Sequence, residues 1–329
     1  MAHAASVERG ARAKPSLARS AALFVAIGAV LYLALYAWSE RLVYRTGDSN
    51  PFFKIATAPR SGFDWVVLGA SHAMPLDFGD FNAVMERETG LSILNLAATG
   101  AGPLYNRFVL EHFLRERGTA NLLYVVDSFA FYDGAWNEGR FADVKLLRRT
   151  PFDAALAGAF FSYALREGVD WRVPLDYATG FSKINNPERF RPDRWEGETQ
   201  FERTYRPSGA AEARRIEYLF PAMPAGPAEL ERNLDTFEAL LEEAQRSGAA
   251  VTVVKLPMPA SFHRRLPREP EFDAALAARL AARGIPFRDF SGALPEPRHY
   301  FDTDHLNRAG AAEFFARHLR DLLSASARY

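Results

Sequence analysis

Asp302 and His305 stand three residues apart in the run Tyr300-Phe301-Asp302-Thr303-Asp304-His305-Leu306-Asn307. In a turn, a carboxylate at that spacing reaches the imidazole N–H, fixes its tautomer and stabilises the imidazolium. A base of this kind serves a nucleophile, and the chain has no cysteine to offer. The best-placed hydroxyl is Ser71 in Asp64-Trp65-Val66-Val67-Leu68-Gly69-Ala70-Ser71-His72. Trp65 to Leu68 read as a strand buried on both faces, and the small residues after them let the backbone turn sharply beyond the sheet. Ligands of open α/β sheets bind at that edge. Each signal also has a plainer reading. A strand ending in Gly-Ala-Ser is an ordinary β–α turn, and Asp302, Asp304 and His305 can be solvated residues at a helix start.

The neighbouring candidates are weaker. His72 follows the serine directly but runs in the wrong direction for a base, so it reads as a pocket-lining or structural residue. Asp304 is the alternative to Asp302 as orienter, with its side chain expected to face solvent or the start of the last helix. His299, Asp302, Asp304 and His305 are close in sequence, but a hard-ion loop needs more carboxylates at a defined spacing. No metal is assigned. Gly100-Ala101-Gly102 lacks the Lys-Ser/Thr that completes a phosphate-cradling loop, and no cofactor is assigned.

The elements that must hold these residues alternate. Strands are predicted at 64–69, 92–97, 122–126, 250–256 and 286–290. Helices are predicted over 78–89, 103–117, 228–247, 271–283 and 307–323, with Pro103 suited to a first helical turn and Asn307 to an N-cap. This rhythm predicts a three-layer α/β/α sandwich on a parallel five-stranded sheet. Residues 130–226 break it. They are rich in aromatics, Arg and Pro, and read as a helical and looped insertion over the strand ends.

With 40 basic and 40 acidic side chains, the charge is balanced. There is no electrostatic case for nucleic acid. Residues 1–19 form a basic tail expected to be disordered, carrying Arg9, Arg12, Lys14 and Arg19 against Glu8. Ser20 to Ser39 is uncharged, long enough to cross a bilayer as a helix, and has Tyr32, Tyr36 and Trp38 toward one end. The basic flank predicts a cytoplasmic N-terminus and an exported remainder. A cleaved signal peptide fits the local residues poorly. Residues 40–62 read as a connector broken by Gly47, Pro51, Pro59 and Gly62. The soluble domain spans 63–329.

A serine turn after the first strand, a Gly-rich turn after the second and D-x-x-H-L-N before the last helix resemble the SGNH (GDSL-like) hydrolase superfamily. The closer resemblance is to its membrane-anchored bacterial branch, which includes alginate O-acetylation and teichoic acid D-alanyl transfer proteins. It covers about residues 63–128 and 249–323. It implies Ser71 as nucleophile, His305 as base and Asp302 as orienter, with the backbone N–H groups of Ser71 and Gly100 as the oxyanion hole. It also implies O-acylation of an exported cell-surface polysaccharide, with a multi-spanning membrane O-acyltransferase as a possible source of the acyl group. A glycan-deacetylating esterase and a non-catalytic glycan-binding protein are the alternatives. One departure is plain. The superfamily's third block offers an asparagine oxyanion donor, whereas here the strand ends Val126-Asp127-Ser128. Ser128 is the substitute to test, provided Asp127 turns away.

Overall fold

The structure is a computed structural model that describes residues 16–221 and 227–326. The first fifteen residues of the expected basic tail lie outside them. The chain opens with α1 (Leu17–Thr46), a 30-residue helix long and apolar enough to cross a membrane. Its uncharged segment matches the expected span, but the helix continues past Ser39 to Thr46. The stretch read as an irregular connector is therefore mostly helical. Asn50 caps α2 (Pro51–Thr57) by accepting from the Phe52 and Phe53 amides, and Pro51 suits its first turn.

Five strands follow: β1 (Gly62–Gly69), β2 (Ile93–Asn95), β3 (Gly118–Val125), β4 (Ala250–Lys255) and β5 (Phe287–Asp289). All pair in parallel, in the order β2-β1-β3-β4-β5. Between the strands run α3 (Phe81–Thr89), α4 (Pro103–Glu116) and, ahead of β4, α10 (Pro227–Arg246). α12 (Glu269–Ala282) follows the short α11 (Ala260–His263). After β5, α13 (Arg308–Phe314) passes through a π-turn into α14 (Arg320–Ser326). Residues 144–219 supply α5 (Val144–Arg149), α6 (Ala154–Arg166), α7 (Arg172–Thr179), α8 (Phe181–Ile184) and α9 (Gly209–Leu219). No strand lies among the described residues of that insertion.

Strand alternation builds two cores. Val66, Leu68, Leu122 and Tyr124 face the layer of α4, α10 and α12, while Trp65, Val67, Leu123 and Val125 face α3, α13 and α14. Both faces of the sheet are thus covered, which is why the central strands are apolar throughout rather than alternating. In this strand order the connections leave in opposite directions between β1 and β3. The crevice at that reversal, beyond the strands' carboxyl ends, is where a ligand site is expected.

Candidate active site

Ser71 leaves β1 at that crevice. Gly69 has φ of +147°, and a Cβ there would stand 2.7 Å from the Val125 carbonyl, so only glycine lets the ends of β1 and β3 approach this closely. The Gly69 amide donates to Asn106 Oδ1 at 3.2 Å, and the Asn106 amide group donates to the Ala101 and Gly102 carbonyls. One buried side chain of α4 therefore ties the serine turn to the Gly-rich turn after β2. Ser71 itself opens a 3₁₀ turn, Ser71–Asp77, so its N–H belongs to the group of amides without an intrahelical partner. Gly100 has φ of +62°, and a Cβ would meet the Trp136 ring at 2.8 Å.

The loop before α13 brings the candidate base. His305 Nε2 lies 2.9 Å from Ser71 Oγ, and His305 Nδ1 lies 3.0 and 2.9 Å from the two oxygens of Asp302. Asp302 also accepts the amides of Asp304 and His305, an Asx-type turn that fixes the carboxylate beneath the ring. Asn307 caps α13 by accepting the Gly310 amide, as its position in the sequence suggests. Gly310 in turn packs on backbone, since a Cβ there would stand 2.1 Å from the His299 carbonyl. Phe301 stacks on the His305 ring and Trp195 meets it edge-on, with centroids 5.5 and 4.9 Å away.

Two side chains, Asp304 and Ser128, differ from the sequence reading, and the role of His72 is narrowed. Asp304 does not face solvent. It is buried, accepts from Arg215 Nε and Nη2 of α9 at 2.9 and 2.8 Å, and lies 3.1 Å from His72 Nε2. His72 takes the structural role of the two that the sequence left open: its other nitrogen contacts Asp127, so the ring bridges the β3 end to the pre-helical loop. Asp127 accordingly commits one carboxylate oxygen to His72. Ser128 does not serve as the missing donor. Its single hydroxyl proton goes to the buried carboxylate of Glu269, which also pairs with Lys255.

The charges on this second layer are settled by their neighbours. Burial alone would push the His72 imidazole down, but Asp127 and Asp304 on its two nitrogens outweigh it and hold it at about 10. Burial would likewise raise the Asp304 carboxyl, but the Arg215 guanidinium and the two imidazoles hold it well below the usual carboxylate range. His72 is therefore an imidazolium at neutral pH. His72, Asp304 and His305 place nitrogen and oxygen atoms within 4.8 Å of one another. A cation would still have to displace a proton from His72 and sit beside Arg215, so this donor set fits internal ion pairing better than metal binding. His299, which the sequence placed with these residues, lies instead against Glu313, with Nε2 3.0 Å from its carboxylate.

Ser71 is only 3% exposed. A cavity of about 450 Å³ lies behind Trp195, lined by Thr99, Met74, Trp195 and Tyr218 and by polar side chains of α5 and the 186–196 loop; Ser71, Asp302 and His305 are not in its lining. Trp195 both lines that cavity and packs on His305.

No protein-family model matches the chain, and no curated protein matches it in sequence. Among solved structures, a protein from Bacteroides fragilis described as a candidate acylhydrolase overlaps it at 10% identity with a TM-score of 0.43. The overlap covers 84% of this chain and 94% of that one. At that score the likeness is too loose to transfer an activity, and the chemistry rests on the residues themselves.

Proposed function

We propose that this chain is a membrane-anchored serine acyl-transfer enzyme with Ser71 as nucleophile, His305 as base and Asp302 as orienter. The supporting observation is the continuous Asp302–His305–Ser71 line of contacts at the sheet's switch point. As Ser71 Oγ bonds to an acyl carbonyl carbon, His305 Nε2 takes its proton. The carbonyl oxygen becomes an oxyanion directed to the Ser71 and Gly100 amides. Collapse breaks the bond to the donor's leaving group, which takes the proton back from His305. The same steps in reverse pass the acyl group from Ser71 to an acceptor hydroxyl. Three carboxylates (Asp127, Asp302, Asp304) surround this centre against two cations (His72, Arg215), so the imidazolium formed on His305 meets a local negative excess.

The acceptor we favour is a sugar hydroxyl of an exported cell-surface polysaccharide, with water, the esterase outcome, as the competitor. An anchored domain is well placed to meet polymer or a membrane-borne acyl donor at the membrane. The cavity behind Trp195 offers the Trp195 and Tyr218 rings beside many hydrogen-bonding groups, a lining suited to a hydroxylated ring. The missing block-three asparagine is unreplaced by Ser128, which weighs against a generic esterase.

Incubation of the full chain with a fluorophosphonate, followed by peptide mass spectrometry, should place the adduct on Ser71. Ser71→Ala should abolish both the adduct and acyl transfer. Labelling elsewhere with an active Ser71→Ala variant removes the assignment. Product analysis with an alcohol acceptor separates transfer from hydrolysis. Normal polymer modification by Ser71→Ala and His305→Ala would replace the catalytic reading with glycan binding.

A further inference from the structure

α6 is apolar on both of its sides. Its inner stripe of Leu156, Phe160, Tyr163 and Ala164 is buried in the larger core. Its outer stripe of Ala154, Gly158, Phe161 and Leu165 also carries no charge, and Leu165 is 74% exposed. A helix on a water-facing surface normally turns polar residues outward. Exposed apolar side chains recur along the segments that follow, at Trp171, Leu175, Phe181 and Phe190, with Trp171 packed on Phe161. Together these residues make a patch of the kind that marks an interaction site.

What covers this patch follows from where it meets α1. The Tyr32 hydroxyl donates to the Thr179 carbonyl at 3.1 Å, Gly180 lies against the Tyr36 ring, and Tyr36 packs on Phe152. Trp38 packs on Phe190 and carries the Arg189 guanidinium over its ring, an aromatic–cation pair suited to a headgroup region. All of these α1 positions lie inside its uncharged stretch. From Tyr32 to Trp38 a helix rises about 9 Å. Helices that lie in the membrane surface bury their apolar faces about 5–10 Å deep.

We propose that the α6–α8 face is a second, monotopic membrane contact. Its occupant is the leaflet nearest Tyr32–Trp38 of the bilayer that α1 crosses. The proposal rests on reading α1 as membrane-spanning. The domain then rides partly sunk in the headgroup layer instead of standing off on a tether. Ser49 and Asn50, a few residues past α1, line the cavity beside Trp195.

The chain has no cysteine, so single cysteines report without background. Full-length Leu165→Cys, Phe181→Cys, Val25→Cys and Arg246→Cys would each be labelled with a fluorophore. Each would be reconstituted in phosphatidylcholine–phosphatidylglycerol vesicles after its thermal melt is matched to the parent. Lipid-borne nitroxide should quench positions 165, 181 and 25 severalfold more than 246, and aqueous iodide should show the reverse order. Iodide access at 165 and 181 equal to that at 246, with 25 still lipid-quenched, overturns the docking face and leaves the anchor standing. Iodide access at 25 removes the anchor and the proposal with it. Shielding of 165 and 181 from both quenchers means that a second copy of the chain covers the face, which also overturns it.

Discussion

His72 ties three parts of the site together, and its ionisation makes that tie measurable. Its folded-state value of about 10 lies above the unfolded 6.5. The stability it contributes is therefore complete below pH 6.5 and is lost as pH rises toward about 10. Asp304 works in the opposite window. Its lowered carboxyl contributes above 3.8 and is lost only as pH falls well below that. Thermal melts across the alkaline window should show the parent losing stability where His72→Gln stays flat; parallel curves would exclude His72 from this role. The two aspartates should also separate cleanly. Asp302→Asn should lower the rate by about 10⁴, because the wrong tautomer is favoured, with little change in the melt. Asp304→Asn leaves Arg215 and His72 without their shared carboxylate, and should cost about 3–5 kcal/mol of stability as well as rate. Paired rates and melts decide. A silent Asp304→Asn in both would mean that the ion-paired layer does not support the site.

The strand ends and the pre-helical loop were legible because each is written locally. An apolar run, a small-residue turn and D-x-x-H before an N-cap are signals within ten residues. The layer beneath them was not, because its partners are far apart in the chain. Asp304 meets Arg215 across 89 positions, and Ser128 meets Glu269 across 141. No local pattern tells a helix-start aspartate that faces water from one that faces a guanidinium arriving from the insertion. Trp195 is the same kind of residue, since from the sequence the aromatics of the insertion read as its own core or as sugar-stacking rings, not as neighbours of His305. Instead its ring closes on His305 and on Phe78, next to a serine with almost no exposed surface. Ser71 is buried, so an acyl carbonyl needs an opening beside it, and Trp195 on the His305 ring is the barrier to test. Trp195→Ala should therefore speed fluorophosphonate labelling of Ser71 while weakening use of the natural acceptor, seen as a raised KM. Unchanged labelling would show that access runs by another route.

On the scale of the whole molecule, α1 is continuous with the domain it carries. Ser39, Leu42 and Val43 are buried against it, Lys183 pairs with Glu40, and Arg149 donates to Thr46 near the helix's carboxyl end. A free swivel is excluded by these contacts, so if α1 crosses a membrane, the side to which Thr46 is delivered fixes the side on which Ser71 lies. Arg19 lies at the amino end of the uncharged stretch, and Glu40, Arg41 and Arg45 follow its carboxyl end. Arg9, Arg12, Lys14 and Arg19 before Ser20 stand against Arg41, Arg45 and Lys54 in residues 40–59, a one-residue excess on the amino side that predicts that this side stays in the cytoplasm. The domain would then be exported whole, at no redox cost, because it has no thiol to oxidise. Alkaline phosphatase fused after Arg60, in the exposed turn between α2 and β1, should be active in a bacterial host. A cytoplasmic reporter fused at the same point should be silent. The reverse pair of results would put Ser71 on the cytoplasmic side, where no exported polysaccharide passes, and the acceptor would have to be sought among cytoplasmic hydroxyls instead.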